Sequence, residues 1–442
     1  MAGLLGLARR HLICAAPALF LRSSSAATGL RVGTFRSDVT PETGEPLIWT
    51  MPLKVVLDPL WAKGLVLEQG RRRLVLCAMD WCGLGGAAFR RLQSALAAAA
   101  GVAAGDVVLH TVHQHAAPYV EGDAYRLLEE LPDPPLMYSD RGLQRLSARL
   151  AAGVREALKS MQPLDAIGVS QARVERVASS RRVWDQGKLV VRYSTSGKDP
   201  YHAALPEGYI DPWLKTITFA ARGRPLARLH FYATHPQTFC CDGRASADFV
   251  GRAREDFERE EGVFQAYFTG CAGNVTVGKY NDGSEQARSE LAERLHAALK
   301  ASAAATAFQP IRVVQWKTMP IQLPARQPEK PIQAGASPEA RYRAACGVAY
   351  ARRKKPLTVT AVDLGVARIL HLPGEPLLEF QQYAQQLNPQ RFTAVAGYGD
   401  IAPGYICPDK ALAEGGYEPS ASHLAAGAEG LLKRAIAQLL GS

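Results

Sequence analysis

Short apolar runs alternate with amphipathic stretches over most of the chain, and the two patterns predict different elements. Runs in which apolar residues are continuous or alternate predict strands, because a strand repeats its side-chain direction every two residues. They occur at residues 74–79, 106–111, 214–220, 226–234, 264–268, 311–323, 358–362 and 366–372, and another strand-like run starts at Arg31. Apolar residues at helical spacing, or stretches of alanine, predict helices at residues 87–100, 141–161, 249–261, 284–302, 338–352 and 421–440.

The order of these elements limits the fold class. Two pairs of neighbouring strands, within residues 214–234 and 358–372, are separated by short turn sequences and predict hairpins. Elsewhere strands and helices alternate without a regular βαβ rhythm, which argues against a Rossmann or barrel order. The pattern predicts an α/β fold in which mixed β-sheets are flanked by helices. Residues 324–337 are rich in Pro, Gly and Ala and predict a long surface loop.

Composition changes this picture mainly by what it excludes. The chain has 442 residues, of which 47% are hydrophobic and 21% are charged, as in folded globular proteins. No apolar run reaches the roughly 18 residues of a membrane span. The net charge is +11, but the basic run at residues 352–355 has no interleaved aromatic residues. That run predicts a solvated helix end, and no nucleic-acid partner is expected.

The first 29 residues have a composition of their own. No acidic residue occurs before Asp38, and Arg9-Arg10 precede an apolar stretch at 11–21 and small residues at 23–27. This order is typical of a secretory signal, so an extracytoplasmic or secreted location is expected. An arginine-rich, serine-rich start also suits a mitochondrial transit peptide or a disordered tail, which leaves organellar and cytoplasmic locations open. Residues 1–29 are interpreted as a leader and residues 30–442 as the folded part.

Cysteine and glycine motifs narrow the chemistry. The eight cysteines form no CxxC pair, so neither a zinc ribbon nor a disulfide scaffold is predicted. Cys240 and Cys241 follow His235 closely and are alternative metal ligands. The sequence lacks the GxGxxG, P-loop and GxSxG motifs, which disfavours nucleotide enzymes and serine hydrolases. Residues 83–88 fit the looser GxGxxA form, which an ordinary glycine-rich turn explains equally well.

Several histidines fall where predicted strands end. His113 and His115 follow the strand at 106–111 and, being two residues apart, lie on one face of an extended segment. His235 ends the strand at 226–234. Neutral imidazole is the commonest metal ligand, and open α/β sheets bind ligands at strand ends, so these residues predict a metal site. A His-x-His pair also suits ordinary core packing, and spacing alone leaves both interpretations open.

Segments in a consistent order along the chain match short motifs of one enzyme family. They are Val32-Gly33 with Asp38-Val39-Thr40-Pro41, residues 74–80, His113-Gln114-His115-Ala116-Ala117-Pro118, Ala233-Thr234-His235, Ser246-Ala247-Asp248-Phe249-Val250-Gly251, Ala272-Gly273-Asn274-Val275-Thr276, Leu372-Pro373-Gly374-Glu375, and Gly404-Tyr405 with Tyr417-Glu418. Together they resemble the neutral (alkaline, non-lysosomal) ceramidase family, specifically its N-terminal catalytic domain. The matched segments span residues 31–420, so the resemblance implies one large catalytic domain after the leader.

The resemblance implies a hydrolase with a single Zn²⁺ ion. Carried over residue by residue, its metal ligands are His113, His235, Glu375 and Tyr405. Two imidazoles, a carboxylate and a phenol oxygen form a donor set compatible with zinc. Zinc lowers the pKa of a water molecule from about 15.7 toward about 7, which makes hydroxide available at neutral pH. His115 resembles the family histidine that transfers protons beside the metal.

Three further residues match family positions near the metal. Tyr417 is expected to donate a hydrogen bond to the oxyanion of a tetrahedral intermediate. Thr276 stands where the family has an active-site serine and keeps the hydroxyl. Arg181 is expected to bind substrate, with its neighbour Arg182 as the rival. Together with His115, the residues Tyr417, Thr276 and Arg181 are the predicted catalytic set.

Each assignment has a structural alternative. Glu375 precedes an apolar helical run and suits a carboxylate at a helix N-terminus. Asp248 suits an N-cap for the helix that follows it. Asn274 and Thr276 are typical turn residues. Tyr405 lies in a segment rich in Gly and Pro, where buried structural tyrosines are common.

The chain departs from the family pattern in its substrate-side segments. Ala116-Ala117 replaces Ser-Gly, Asn274 replaces Asp, and Val277-Gly278 replaces Pro-Asn. Known ceramidases of the family are longer and carry a C-terminal immunoglobulin-like domain, and no such module is expected within residues 30–442. Since the implied ligands are kept and the substrate-side segments change, we expect the metal chemistry to be retained while the substrate stays open.

The expected function is a zinc-dependent amidohydrolase that cleaves the N-acyl amide bond of a ceramide-like lipid with a zinc-activated water. Two alternatives stay open: a metal hydrolase of the same fold acting on another amide or ester, and a non-catalytic binding protein with a vestigial site. The expected partner is a small-molecule or lipid substrate, and a peripheral membrane contact is left open. The sequence does not determine the oligomeric state.

Overall fold

Three mixed β-sheets form the framework of the chain in the computed structural model, which describes residues 29–328, 332–333 and 335–441. The strands of the first half are β1 (Leu30–Asp38), β2 (Val55–Val56), β3 (Trp61–Gln69), β4 (Arg72–Met79), β5 (Gly83–Gly85), β6 (Val107–Thr111), β7 (Tyr119–Glu121), β8 (Gln162–Pro163), β9 (Ala166–Arg173), β10 (Ser179–Ser180), β11 (Arg182–Asp185) and β12 (Lys188–Val191). Those of the second half are β13 (Trp213–Ala221), β14 (Arg224–Tyr232), β15 (Arg244–Ala245), β16 (Phe264–Thr269), β17 (Val275–Thr276), β18 (Ala307–Pro310), β19 (Gln315–Ile321), β20 (Leu357–Asp363), β21 (Ala367–His371), β22 (Glu375–Pro376), β23 (Phe392–Ala396) and β24 (Tyr405–Ile406).

The α-helices flank the sheets. They are α1 (Gly86–Ala100), α2 (Gly122–Glu129), α3 (Asp140–Lys159), α4 (Pro200–Ala204), α5 (Asp248–Glu261), α6 (Glu285–Ala304), α7 (Pro338–Ala351), α8 (Leu378–Gln386), α9 (Asp409–Glu414), α10 (Tyr417–Ser420) and α11 (Ala428–Leu440). Three of the long helices begin at a serine whose hydroxyl accepts a backbone hydrogen bond from the first turn: Ser139 for α3, Ser284 for α6 and Ser337 for α7. A serine at this position satisfies one of the free N–H groups of a helix start, so the sequence itself marks these boundaries.

Each large sheet combines antiparallel strands with one parallel pair. The first sheet has the order β6-β4-β3-β1-β8, the second β16-β14-β13-β9-β18 and the third β19-β20-β21-β23. The parallel pairs are β4 with β6, β14 with β16, and β21 with β23. Helices α1 and α3 pack on the first sheet, α5 and α6 on the second, and α8 and α11 on the third. The predicted class, α/β with mixed sheets flanked by helices, is confirmed.

The apolar core is shared between the first two sheets. One cluster of buried residues extends from Leu30 to Ile401, and β16 of the second sheet contacts β3, β4 and β6 of the first. A second cluster lies between the third sheet and the helices α8 and α11. The free cysteines at positions 77, 82, 271, 346 and 407 are all buried, as their predicted role as small apolar residues requires.

Strand β3 was not predicted from its sequence. It lies between β1 and β4 in the first sheet, but Lys63 interrupts its apolar pattern. The Lys63 side chain is fully buried, and its ammonium group lies 2.8 Å from Glu255 and 2.5 Å from Glu258. A lysine in the middle of a buried strand needs such partners, which come from a helix remote in sequence.

Two predicted elements have different boundaries in the structure. The helix predicted at 421–440 begins only at Ala428, because Ser422 and Leu424 form isolated β-bridges with other segments and Gly427 has a φ of +89°. The strand predicted at 311–323 is shorter in the structure, where β19 covers Gln315–Ile321, and the preceding β18 joins a different sheet. Both differences come from pairing with distant segments, which local sequence patterns do not specify.

The ends of the chain add little to these conclusions. The predicted leader at residues 1–29 lies outside the described residues except for Gly29. None of the described helices has the combination of length and apolar character that a membrane span needs.

A buried ion pair connects the first sheet to α5 and to the histidine segment. The Asp80 carboxylate follows β4 and receives two hydrogen bonds from the Arg254 guanidinium, each 2.8 Å long. It also accepts hydrogen bonds from the Trp61 backbone N–H and from Nε2 of Gln114, both at 2.9 Å. The Arg254 side chain is 1% exposed and the Asp80 side chain is 0% exposed. All of the carboxylate's strong acceptor positions are therefore used inside the core.

We expect the Asp80→Ala substitution to lower the unfolding free energy by about 3–5 kcal/mol, because the buried Arg254 guanidinium loses both of its hydrogen bonds to Asp80 and keeps only the 3.0 Å contact with Glu255. The measurement is urea denaturation of the purified chain. Glu156→Ala is the control, since its pair with Lys159 is about 70% exposed on both sides and contributes only about 0–1 kcal/mol. Equal losses in the two variants would show that the buried pair has no special role.

Candidate metal centre and active site

The ends of three sheets meet at one place. His113 follows β6 of the first sheet, His235 follows β14 of the second, and Glu375 begins β22 shortly after β21 of the third. Strand β22 pairs in parallel with β24, which sets Glu375 opposite Tyr405. Residues that are far apart in sequence are thus brought together by the way the sheets pack.

His113, His235 and Glu375 form a buried cluster of ligand atoms. Oε2 of Glu375 lies 3.1 Å from Nε2 of His113 and 3.4 Å from Nε2 of His235. All three residues are buried, and their ligand atoms lie within 4.8 Å of one another. This spacing suits a single metal ion, whose bonds to imidazole nitrogen and carboxylate oxygen are about 2.0–2.2 Å long.

Backbone carbonyls fix the hydrogen on the far nitrogen of each imidazole. Nδ1 of His113 donates to the Cys82 carbonyl at 2.6 Å, and Nδ1 of His235 donates to the Ala272 carbonyl at 2.7 Å. Nε2 of each ring is thereby turned toward Glu375, whose buried Oε2 has no hydrogen-bond partner among the described residues. Two imidazole nitrogens and a carboxylate oxygen that face one another in this way form a donor set that fits a metal ion.

The electrostatics of the cluster keep its groups in the forms that bind metal. Burial lowers the pKa of His235 to about 4, so the imidazole is neutral at pH 7. Burial alone would raise the pKa of Glu375, but His113 and His235 outweigh it and hold that pKa well below its ordinary value. A neutral imidazole and an ionised carboxylate are the states that a metal requires of these ligands.

A second set of candidate ligands, Cys82, His113 and His115, lies beside the first. Sγ of Cys82 is 3.9 Å from Nδ1 of His113, the nitrogen that already donates to a carbonyl. Burial raises the pKa of the Cys82 thiol well above its ordinary value, whereas metal binding requires the thiolate. The set with two imidazoles and a carboxylate is therefore the better metal site.

Tyr405 and Arg181 extend the cluster on one side. The Tyr405 hydroxyl accepts a hydrogen bond of 3.1 Å from Nη1 of Arg181, and its ring stacks on His235 with centroids 6.4 Å apart. Nη2 of Arg181 lies 3.5 Å from Nε2 of His235. Burial raises the pKa of Tyr405 well above its ordinary value even though Arg181 opposes this, so the side chain is a neutral phenol. The predicted fourth ligand lies next to the cluster and is held there by Arg181.

The structure distinguishes Arg181 from its rival Arg182. The buried Arg181 guanidinium lies 4.9 Å from the centre of the Tyr417 ring and faces the ligand cluster. Arg182 instead forms ion pairs with Glu414 at 2.9 Å and Glu418 at 3.1 Å. Arg182 therefore anchors the α9–α10 segment, and Arg181 is the arginine that contacts the site.

His115 reaches the cluster from the same loop as His113. Its Nε2 atom lies 3.2 Å from Nε2 of His113, and its buried Nδ1 atom has no hydrogen-bond partner. Burial and the neighbouring His113 and His235 hold the pKa of His115 well below its ordinary value. The side chain is thus a neutral imidazole within reach of any molecule bound at the cluster. His113 itself has a φ of +74°, a rare conformation that turns the chain between these two residues.

The cluster lies at the base of a cavity of about 390 Å³. Its lining includes the predicted residues His113, His115, Glu375, Tyr405 and Tyr417. The Tyr417 ring packs edge-on against Tyr405, with centroids 5.7 Å apart. A volume of this size and a lining that mixes aromatic with polar groups are typical of small-molecule sites.

Thr276 is placed differently from the other predicted residues. Its hydroxyl accepts a hydrogen bond of 3.0 Å from the Gly278 backbone N–H, and it is not among the described residues that line the cavity. The neighbouring Asn274 accepts a hydrogen bond from the Leu378 N–H at the start of α8. Thr276 thus has the local role of a turn residue, whereas Asn274 connects its segment to α8. A catalytic role of Thr276 stays a prediction.

Tyr398 belongs to the site although the sequence analysis did not single it out. Its ring stacks on His113, with centroids 4.3 Å apart, and its buried hydroxyl has no hydrogen-bond partner. The backbone N–H of Thr111 donates to the Tyr398 carbonyl at 2.9 Å, which links this segment to the end of β6. The flanking Gly397 and Gly399 were the available sequence signal, because both allow close backbone packing.

Two motif-based alternatives are wrong. Cys240 and Cys241 are joined by a disulfide and are not free to bind a metal. In the GxGxxA segment, carboxylates occupy the space beside the turn. The Gly86 N–H donates a hydrogen bond to Asp400 at 3.1 Å, and a Cβ atom at Gly86 would collide with the Glu121 side chain. That turn has no room for a phosphate group.

The structural alternative for Glu375 is also wrong, and that for Asp248 describes only part of its role. Asp248 opens α5 with a φ of +57°, and its carboxylate accepts a hydrogen bond from the Phe249 N–H at 2.7 Å in the first turn. The same carboxylate accepts hydrogen bonds from the N–H and hydroxyl of Thr238 at 3.0 and 2.8 Å, so it also holds the loop after His235. Glu375 lies three residues before α8, and its carboxylate faces the two imidazoles instead of the helix N-terminus.

Comparison with solved structures finds the same fold in ceramidases. A neutral ceramidase from Pseudomonas aeruginosa matches with a TM-score of 0.72 at 17% sequence identity, and the match covers 93% of this chain and 74% of that chain. A ceramidase complexed with C2 matches with the same TM-score at 16% identity, covering 93% and 75%. None of the known protein-family models matches the sequence, and a search of curated proteins finds no match. The chain therefore has the neutral-ceramidase fold that its motifs implied.

We expect the Thr276→Val substitution to lower the unfolding free energy by about 1–3 kcal/mol, since the buried Gly278 N–H loses its acceptor. Thr276→Ser keeps the hydroxyl and is the matched control, with an expected loss of at most about 1 kcal/mol. Urea denaturation measures both. A variant Thr276→Val with unchanged stability and strongly reduced turnover would instead indicate a catalytic hydroxyl.

Proposed function

We propose that the chain is a zinc-dependent amidohydrolase that cleaves the N-acyl amide bond of a ceramide-like lipid. The observation that carries the proposal is the convergence of Nε2 of His113, Nε2 of His235 and Oε2 of Glu375 in one buried cluster, with Nδ1 of each ring bonded to a backbone carbonyl. The neutral-ceramidase fold supports the hydrolase class. The cluster lies where strand ends of the three sheets meet.

The metal ligands would be His113, His235 and Glu375, with the neutral Tyr405 phenol beside them. A bound zinc ion supplies a Lewis acid and lowers the pKa of a water molecule toward neutrality. The chain's own contribution is to fix the ligands: the Cys82 and Ala272 carbonyls hold the two imidazoles in the metal-binding tautomer. Such support from outside the ligand set is worth about 10–100-fold in metal affinity.

His115 is proposed to transfer the protons of the reaction. Its Nε2 atom lies at the edge of the cluster, 3.2 Å from Nε2 of His113. As a neutral imidazole it accepts the proton that the attacking water loses and then donates it to the amide nitrogen, so that the amine leaves uncharged. Its position in the cavity lining beside the ligand cluster supports this role.

Tyr417 and Arg181 are proposed to stabilise the reacting carbonyl oxygen. The Tyr417 ring borders the cavity beside Tyr405, where its hydroxyl can donate a hydrogen bond to the oxyanion. Arg181 contacts both tyrosine rings, with its guanidinium 5.6 and 4.9 Å from the ring centres of Tyr405 and Tyr417. We propose that Arg181 positions these two side chains and contributes positive charge beside them.

The chain purified without chelators is expected to contain about one zinc ion, measured by elemental analysis. The double variant His113→Ala/His235→Ala should lose it, since only one strong ligand remains, and Glu375→Gln should weaken binding by at least about 100-fold. His202→Ala is the control, because that histidine pairs with Asp199 in α4, outside the cluster. Stoichiometric zinc in the double variant would contradict the ligand assignment, and a metal-free wild type would favour a non-catalytic binding protein.

Fatty-acid release from a short-chain ceramide tests the reaction itself. The zinc-loaded chain is expected to release fatty acid, and the variants Glu375→Gln and His115→Ala are expected to lose at least about 100-fold of that activity. The His115→Ala variant should keep its zinc, which separates a proton-transfer role from metal binding. Zinc-loaded protein that leaves ceramide intact would point to the same chemistry on a different amide or ester.

A further inference from the structure

The cavity above the ligand cluster has an unbalanced set of charges. Its described lining contains two guanidinium groups, Arg326 and Arg343, and a single carboxylate, Glu375. The Glu375 carboxylate faces His113 and His235 at the base and is committed to the cluster. The upper part of the cavity is therefore positive before any metal ion adds to that charge.

Arg326 is the less neutralised of the two cations. Among the described residues, no carboxylate lies within ion-pair distance of its guanidinium group, and its contact to the Pro419 carbonyl is a long 3.4 Å. Its backbone is fixed, because its N–H donates to the His423 carbonyl at 2.8 Å and Ala325 forms a bridge with Leu424. Burial and Arg326 lower the pKa of His423 to about 4, so this neighbour adds no charge. The guanidinium is thus held at the cavity without an anionic partner among the described residues.

Arg343 faces the same space from α7. Its guanidinium stacks on Trp49, with the carbon 3.7 Å from the ring centre, and its Nε donates to Glu339 at 2.8 Å. Glu339 is about half exposed, so it neutralises Arg343 only in part. Arg343 is therefore a second and weaker contributor to the positive field.

Another part of the cavity lining is apolar. Ile48, Trp49, Tyr119 and Cys346 contribute to it, and the rings of Trp49 and Tyr119 stack with centroids 5.4 Å apart; we call this surface the Trp49–Tyr119 wall. An acyl chain gains free energy by covering such surface, whereas a charged group does not. The cavity thus combines apolar surface, two guanidinium groups and the ligand cluster.

Resting on the proposed hydrolase function, we propose that the substrate is an N-acyl amide whose amine half carries a carboxylate, as in an N-acyl amino acid. The carboxylate would bind Arg326, with Arg343 beside it, while the acyl chain lies on the Trp49–Tyr119 wall. The amide bond would then lie over the ligand cluster near His115. Hydrolysis adds water across the C–N bond and gives a fatty acid and a free amino acid. This substrate differs from ceramide in having a charged carboxylate where ceramide has a neutral alcohol.

Two matched substrates test the proposal: N-dodecanoyl-serine, which has the carboxylate, and N-dodecanoyl-serinol, which has a neutral hydroxymethyl group in its place. The zinc-loaded chain is expected to show a kcat/KM about 10- to 100-fold higher for the serine conjugate, as one charge-assisted contact predicts. Arg326→Gln should remove most of that preference by raising KM for the serine conjugate, with a much smaller change for the serinol conjugate. Arg343→Gln should remove less, because Glu339 already neutralises part of its charge.

Controls separate charge from folding. Arg352→Gln removes an exposed cation at the end of α7, outside the cavity lining, and should leave the preference intact. Arg326→Lys keeps the charge and should keep part of the preference, and thermal melting checks that each variant folds. Raising the salt concentration should also reduce the preference, because screening weakens charge pairing.

The outcomes separate this inference from the proposed function. Equal kcat/KM values, or a higher value for the serinol conjugate, would overturn the anionic-substrate proposal while leaving the amidohydrolase intact. A preference that survives Arg326→Gln and Arg343→Gln would overturn the assignment of these residues. If neither conjugate is cleaved by zinc-loaded protein, the proposed reaction is wrong, and calorimetric titration of the intact conjugates then decides the inference: tighter, salt-sensitive binding of the serine conjugate supports it, and equal binding overturns it.

Discussion

Three ligand atoms, Nε2 of His113, Nε2 of His235 and Oε2 of Glu375, converge in one buried volume, and the ends of the sheets around them hold them there. Burying a carboxylate 3.1 and 3.4 Å from two imidazole nitrogens costs free energy unless a cation or hydrogen bonds offset its charge. Each donor comes from the end of a different sheet, and each imidazole is oriented by a backbone carbonyl. The fold thus uses main-chain hydrogen bonds to hold a geometry that the side chains alone would avoid.

The ligand cluster is supported from two sides by different kinds of polar network. On one side, the Asp80 carboxylate, which is paired with Arg254, accepts a hydrogen bond from Gln114, the residue between the two histidines of the loop. This contact connects the loop to β3, β4 and α5. On the other side, Arg181 holds Tyr405, and Arg182 holds the α9–α10 segment that carries Tyr417. Breaking either network would leave a buried charge without its main partner, which is costly, so both networks favour this one arrangement.

Metal chemistry and substrate choice are determined by different parts of the cavity. The base is built from strand ends and has the donor set of a metal hydrolase. The upper walls come from the 324–328 loop, α7 and the segment around Trp49, and these carry Arg326, Arg343 and the aromatic surface. Loops and helix faces can change without disturbing the ligands, so a fold shared with ceramidases at 16–17% identity is compatible with a substrate of different charge.

The sequence by itself determined the elements whose pattern is local and the residues whose motifs resemble a family. The helices that start at Ser139, Ser284 and Ser337, and the hairpin formed by β13 and β14, follow from capping and periodicity. The motifs predicted that His113, His235, Glu375 and Tyr405 belong to one site, and the packing of the sheets brings these residues together. Only the tertiary structure decided between Arg181 and Arg182, revealed Tyr398 against His113, and gave β3 its place despite Lys63. These features depend on partners far away in the chain, and pairing over such distances leaves no local sequence pattern. The carboxylates that neutralise Lys63, and the lack of a carboxylate near Arg326 among the described residues, can be seen only once the sheets and loops are packed together.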